Sequence, residues 1–262
     1  MTDRNDTALT LPWMRAGSAH VLALVAKLSD AELAEPSALP EWSRAHVVAH
    51  LARNAEALMR LVTWARTGVE TPMYPSREAR AADIAASADH PPKRLRAELT
   101  ATAADLDAAL AALTPEQWQA QVRSALGRPL PAAQVPWMRI REVWLHAVDL
   151  DAGADVADVP DGVVDLLLDE VTGTLSATDG CPAVELVPTD RDRRFLLGAD
   201  GGRAVGIAPA DRDRRLPLGA DGGLRGSDDS APVVSAPAAT LVGWLTGRMQ
   251  APPGAPELPR WL

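Results

Sequence analysis

Cysteine is nearly missing from this 262-residue chain, where Cys181 stands alone. A single cysteine excludes an internal disulfide and any cysteine-cluster metal site, and it reads as a small incidental hydrophobe. Thiol chemistry on such a chain would most simply use a thiol brought from outside. Lysine is almost as scarce, with only Lys27 and Lys93, so arginine carries the positive charge. That charge is outweighed. The formal net charge is −9, and no basic patch or stripe marks a nucleic-acid binder. No apolar run reaches the roughly 20 residues a membrane span needs. Residues Met1 to Thr10 are polar and lack the basic-then-apolar pattern of a signal peptide. These absences lead us to expect a cytoplasmic protein, monomeric, with no nucleic-acid or membrane partner.

What is there is enough apolar sequence for a large core, with 47% hydrophobic residues. The densest stretch is Trp137–Leu150, apolar except for Arg139, Arg141, Glu142, His146 and Asp149. At helical pitch Arg139, Glu142, His146 and Asp149 fall within an arc of roughly 80°. A helix apolar nearly all round is buried, so a narrow polar stripe on it is expected to line an internal site. Glu142 and His146, one turn apart, are the first candidates for chemistry there.

The rest of the bundle reads as follows. Leu11–Leu28 has helical apolar spacing, and Ser29–Glu32 carries a cap signal before a short turn. Ser43 is an N-cap for a helix running to Thr67 and stopping at Gly68. Its stripe of Val47, Leu51, Ala55, Leu58 and Val62 has His50 at the edge, with His46 one turn earlier. A loop with the chain's only tyrosine, Tyr74, leads to a short helix over Arg77–Ala88. Pro91-Pro92 opens a long helix to Leu113, and Thr114–Ala133 is turn-rich. Four long helices before residue 152 make a four-helix bundle, a fold that builds metal sites from side chains on facing helices.

Asp151–Asp161 is small and acidic, with Gly153 and Pro160, and marks a boundary between domains 1–152 and 160–262. Beyond it come a helix over Val163–Leu175, short β-type runs at Ala183–Val187, Arg193–Gly198, Arg203–Pro209 and Val233-Val234, and a closing helix over Ala238–Arg248. The fold class is thus α+β: a bundle followed by a smaller mixed α/β domain. Asp190–Gly202 and Asp211–Gly223 match at 11 of 13 positions, both ending in Ala-Asp-Gly-Gly. Two copies are too few for a solenoid, so this reads as a duplicated surface hairpin.

His50, Glu142 and His146 form a complete three-ligand set for a metal with one open position. Zinc accepts these donors, and so does iron(II) in the two-histidine, one-carboxylate arrangement. A metal-free Glu–His ion pair uses the same residues.

The chain resembles the mycothiol-dependent maleylpyruvate isomerases, within the wider DinB-like group of metal-binding bundles. The likeness rests on Trp42-Ser43-Arg44-Ala45-His46 through His50 to Ala55, on Trp64-Ala65-Arg66-Thr67-Gly68, on Glu70–Tyr74 and Glu78–Arg80, on Trp137–Leu150, and on the ending Pro259–Leu262. It thins in the second domain, where the duplication departs from the family pattern. The resemblance implies a single zinc on His50, Glu142 and His146, mycothiol as thiol cofactor, and an essential arginine, here Arg248. The implied reaction turns maleylpyruvate into fumarylpyruvate in gentisate breakdown. Its small dicarboxylate substrate makes Arg248 the first candidate to hold a carboxylate, with Arg139, Arg141 and Tyr74 weaker ones; Arg139 could equally be an internal ion-pair partner of Asp149 or Glu142, and Asp149 is a candidate to orient His146. Arg248 could instead simply stabilise the C-terminus of its helix. A mycothiol S-transferase acting on another electrophile, or a non-catalytic metal-binding protein, would keep the same trio.

Overall fold

The computed structural model describes residues 3–198 and 231–261, in two compact units divided between Asp155 and Val156. In the first unit α1 covers Thr7–Lys27, α2 Asp30–Ala34, α3 Arg44–Thr67, α4 Arg77–Ala88 and α5 Pro92–Ala111. A one-turn helix α6 (Pro115–Trp118), strands β1 (Gln121–Arg123) and β2 (Pro129–Pro131), and α7 (Val135–Asp149) complete it. α1 packs on α7 and α5, and α3 packs on the same two helices. The four long helices therefore close a ring with α1 and α3 across its diagonal. This places α3 against α7, the two helices that carry the candidate ligands.

Local chemistry sets most of the ends. Ser43 and His46 cap α3 reciprocally: the Ser43 hydroxyl accepts from the His46 backbone N–H, and His46 Nδ1 accepts from the Ser43 N–H at 3.3 Å. Gly68 ends α3 in the left-handed conformation, φ 73°. α1 begins at Thr7 rather than Leu11, because Asp6 accepts from Ala8 N–H and supplies the cap. The stretch expected as turn-rich holds α6 and an antiparallel β1–β2 hairpin pairing Val122 with Leu130. Strands this short show too little alternation to be seen in sequence.

α1 and α7 approach very closely at Gly17. A Cβ there would lie 2.5 Å from Val143 Cγ2 and 2.7 Å from Trp144 Nε1. The same indole N–H donates to the Trp13 carbonyl at 3.2 Å.

The second unit has α8 (Asp161–Ser176), β3 (Val184–Pro188), β4 (Phe195–Leu197), β5 (Val233–Ala236) and α9 (Ala238–Leu245). β3 is central, antiparallel to β4 and parallel to β5. α8 packs on α9 and β4. Asp165 and Asp169 on α8 hold Arg191 and Arg193 as the chain enters β4. α9 ends three residues short of the expected Arg248, at Leu245. Gly247 (φ 75°) donates to Trp244 O and Arg248 N–H to Gly243 O, a Schellman end that turns the chain off the helix axis. The β-type run at Arg203–Pro209, the Ala-Asp-Gly-Gly turns and the second repeat copy lie outside the described residues. Among the described residues no helix is long and apolar enough to cross a membrane.

Candidate metal centre

α3 and α7 bring His50, Glu142 and His146 together, with one donor atom from each within 4.8 Å of the others. Glu142 Oε2 is the hub, 2.8 Å from His50 Nε2 and 3.3 Å from His146 Nε2. The two imidazoles meet edge to face, 4.7 Å between centroids and 85° between planes. Trp42, just before α3, sets its indole against His50 at 5.6 Å. His50 is 2% exposed, while Glu142 and His146 keep a half-buried open side.

The electrostatics follow from this packing. Burial pushes the Glu142 carboxyl up, but hydrogen bonds and charge from His146 and His50 outweigh it and hold the group well below the ordinary 4.5. Burial pushes both imidazoles down. For His146, Asp149 and Glu142 prevail and raise it above 6.5; for His50, burial prevails and lowers it.

Asp149, 1% exposed, sits 2.7 Å from His146 Nδ1. A carboxylate there accepts the Nδ1 proton and turns Nε2 toward Glu142. Arg139 is also 1% exposed. Its Nη1 donates to the Leu51 carbonyl at 2.7 Å and to Asn54 Oδ1 at 2.9 Å, so it ties α7 to α3. Burial brings it down to about 10, still a cation at neutral pH, and Glu142 feels its charge. Tyr74 lies half-buried against Arg80, whose guanidinium is 5.7 Å from the ring centroid. Arg80 Nη2 in turn is 3.3 Å from His50 Nδ1. Arg141 is half-buried. Arg248 belongs to the second unit, where its Nη1 donates to the Thr246 carbonyl at 3.0 Å at the end of α9.

Arg80 and Trp42 are the neighbours to which sequence reasoning gave no role at the site. Asn54, one turn from His50 on the same helix, was legible from helical pitch. Arg80 sits on a separate helix whose face toward α3 is set by packing alone.

The donor set suits zinc. Two imidazoles and an ionised carboxylate match its ligand chemistry, and among the described residues the trio leaves a fourth position to a ligand from outside.

A carboxylate flanked by two imidazoles, across adjoining helices, defines a four-helix bundle protein with a candidate metal centre and a second, α/β unit. The family model described as the mycothiol maleylpyruvate isomerase N-terminal domain matches residues 14–151. A crystal structure of a mycothiol-dependent maleylpyruvate isomerase aligns over 100% of both chains, at 32% identity and a TM-score of 0.83. The structure of a histidine-to-alanine mutant of that enzyme aligns equally well, also at 32% identity and 0.83 over both whole chains. No curated protein sequence matches. The chain belongs to the mycothiol maleylpyruvate isomerase family.

Proposed function

We propose that this protein is a zinc- and mycothiol-dependent cis–trans isomerase that converts maleylpyruvate to fumarylpyruvate in cytoplasmic gentisate breakdown. The observation that carries the reading is the convergence of His50, Glu142 and His146, on a chain similar over its full length to a mycothiol-dependent maleylpyruvate isomerase.

A double bond rotates only if it is transiently lost. A zinc ion on the trio would supply mycothiol as thiolate, whose addition to the conjugated enone and later departure bracket a rotatable single bond. The chain's own residues do the rest. Glu142 stays ionised against two imidazoles. Asp149 fixes the His146 ring through Nδ1, leaving Nε2 to face the site. Trp42 packs edge to face against the His50 ring. Arg248 holds a substrate carboxylate and offsets charge that builds on the enolate oxygen. Burial raises the Cys181 thiol above the ordinary 9.0, which disfavours its thiolate and fits a thiol supplied from outside.

The test is metal analysis coupled to an isomerase assay with and without mycothiol. We expect about one zinc per chain and turnover that needs mycothiol; His50→Ala loses both metal and turnover. Isomerisation without thiol, or full activity in His50→Ala, overturns the reading.

A further inference from the structure

Several arginines around the bundle face a carboxylate: Arg44 meets Glu35, Arg53 meets Glu98 and Arg96 meets Asp30. Arg80 does not. Half-buried on α4, it has Tyr74 on one side and His50 Nδ1 at 3.3 Å on the other. A guanidinium has only donors, so Nδ1 must accept. The ring proton then lies on Nε2, where it donates to Glu142 Oε2 at 2.8 Å. This tautomer suits a histidine–glutamate hydrogen bond and defeats a metal ligand. A ligating Nε2 must offer its lone pair, and the neutral ring then carries its proton on Nδ1, pointing at Arg80 donor to donor. The usual outer partner of a ligating imidazole is a carboxylate, carbonyl or water. His146 has one in Asp149, whereas His50 has a cation.

We propose that Arg80 is the carboxylate-recognising residue beside the metal position, held on His50 Nδ1 in the metal-free protein and released toward an anionic substrate when a metal takes His50. The inference rests on the metal reading of the trio, and it assigns Arg80 a role at the same site. Charge supports it. Glu142 and Asp149 are the carboxylates at the trio, and Arg139 is a buried cation beside them. A divalent cation added to that set, with Arg80 freed, leaves a surplus of positive charge that suits a dicarboxylate.

The sign of one measurement separates this from an ordinary supporting role. Losing an outer residue that positions a ligand weakens metal binding about 10–100-fold. Losing Arg80 removes a competitor for His50, so Arg80→Met should bind zinc about tenfold more tightly at fixed pH, read by competition with a chromophoric chelator. Maleate should bind the zinc-loaded wild type at least tenfold more tightly than zinc-loaded Arg80→Met. Arg80→Lys, which keeps the charge and places least strain on folding, should recover part of the maleate affinity. In the wild type, nitrogen-detected imidazole spectra should show His50 protonated on Nε2 without zinc and on Nδ1 with it. Unchanged or weaker zinc binding in Arg80→Met overturns the proposal, as does a His50 tautomer that zinc leaves unaltered. A wild type that takes up no zinc overturns the metal reading and this inference together.

Discussion

At the scale of single residues, the centre is governed by what each imidazole nitrogen faces. His146 has carboxylates on both sides: Asp149 at Nδ1, 2.7 Å away, and Glu142 at Nε2, 3.3 Å away. Together they raise its pKa above 6.5 despite burial. The sign for stability follows. In the metal-free protein the protonated ring contributes stability that is fully present below 6.5 and is lost as pH rises through the raised value. Metal binding runs the other way, because Nε2 must be free of its proton. Zinc affinity should therefore decline on acidification from a pH above 6.5. Asp149→Asn removes one cause of the raised pKa and should carry that decline to lower pH. It should also weaken binding about tenfold on the alkaline plateau, where ring orientation is all that is lost. A zinc titration across pH on both proteins checks this, and a superimposable acid limb would exclude the role given to Asp149.

At the scale of elements, the site depends on how α7 is gripped from two sides. Arg139 reaches across to the Leu51 carbonyl and Asn54 on α3, and Gly17 lets α1 close on Val143 and Trp144 from the other side. Gly17→Ala tests the second grip. Alanine favours the helix by about 1 kcal/mol, but its methyl would stand 2.5 Å from Val143 Cγ2. Overpacking of this kind costs about 1–3 kcal/mol, so the net loss should reach up to about 2 kcal/mol. The melting temperature should drop by up to about 8 °C, and a variant more stable than the wild type would show that α1 yields without cost.

At the scale of the whole molecule, the residues proposed to act belong to both units. The three candidate ligands and Asp149 all belong to residues 3–155, and Arg248 belongs to the second unit. Arg248→Ala should therefore keep its zinc stoichiometry and affinity while kcat/KM for maleylpyruvate falls by about 100-fold or more, as expected for loss of a charged contact to the reacting oxygen. A variant that loses zinc, or one that keeps full turnover, would refute these assignments.

The sequence by itself determined where most of the helices lie and several of their ends, because caps and stops act over three or four residues: Ser43 and Gly68 around α3 and Pro92 opening α5. It also determined that Glu142, His146 and Asp149 share a face of α7, since helical pitch alone fixes that. Short strands escaped it, and so did the true end of α9, where a left-handed glycine and two backbone hydrogen bonds close the helix ahead of Arg248. Only the tertiary structure decided which helix faces α7. By closing the ring with α1 across from α3, it brought His50 to within 2.8 Å of Glu142, turned Arg139 to a backbone carbonyl and an amide on α3, and set Arg80 against His50. Pitch is local, whereas the choice of neighbour depends on how all the apolar faces are buried at once.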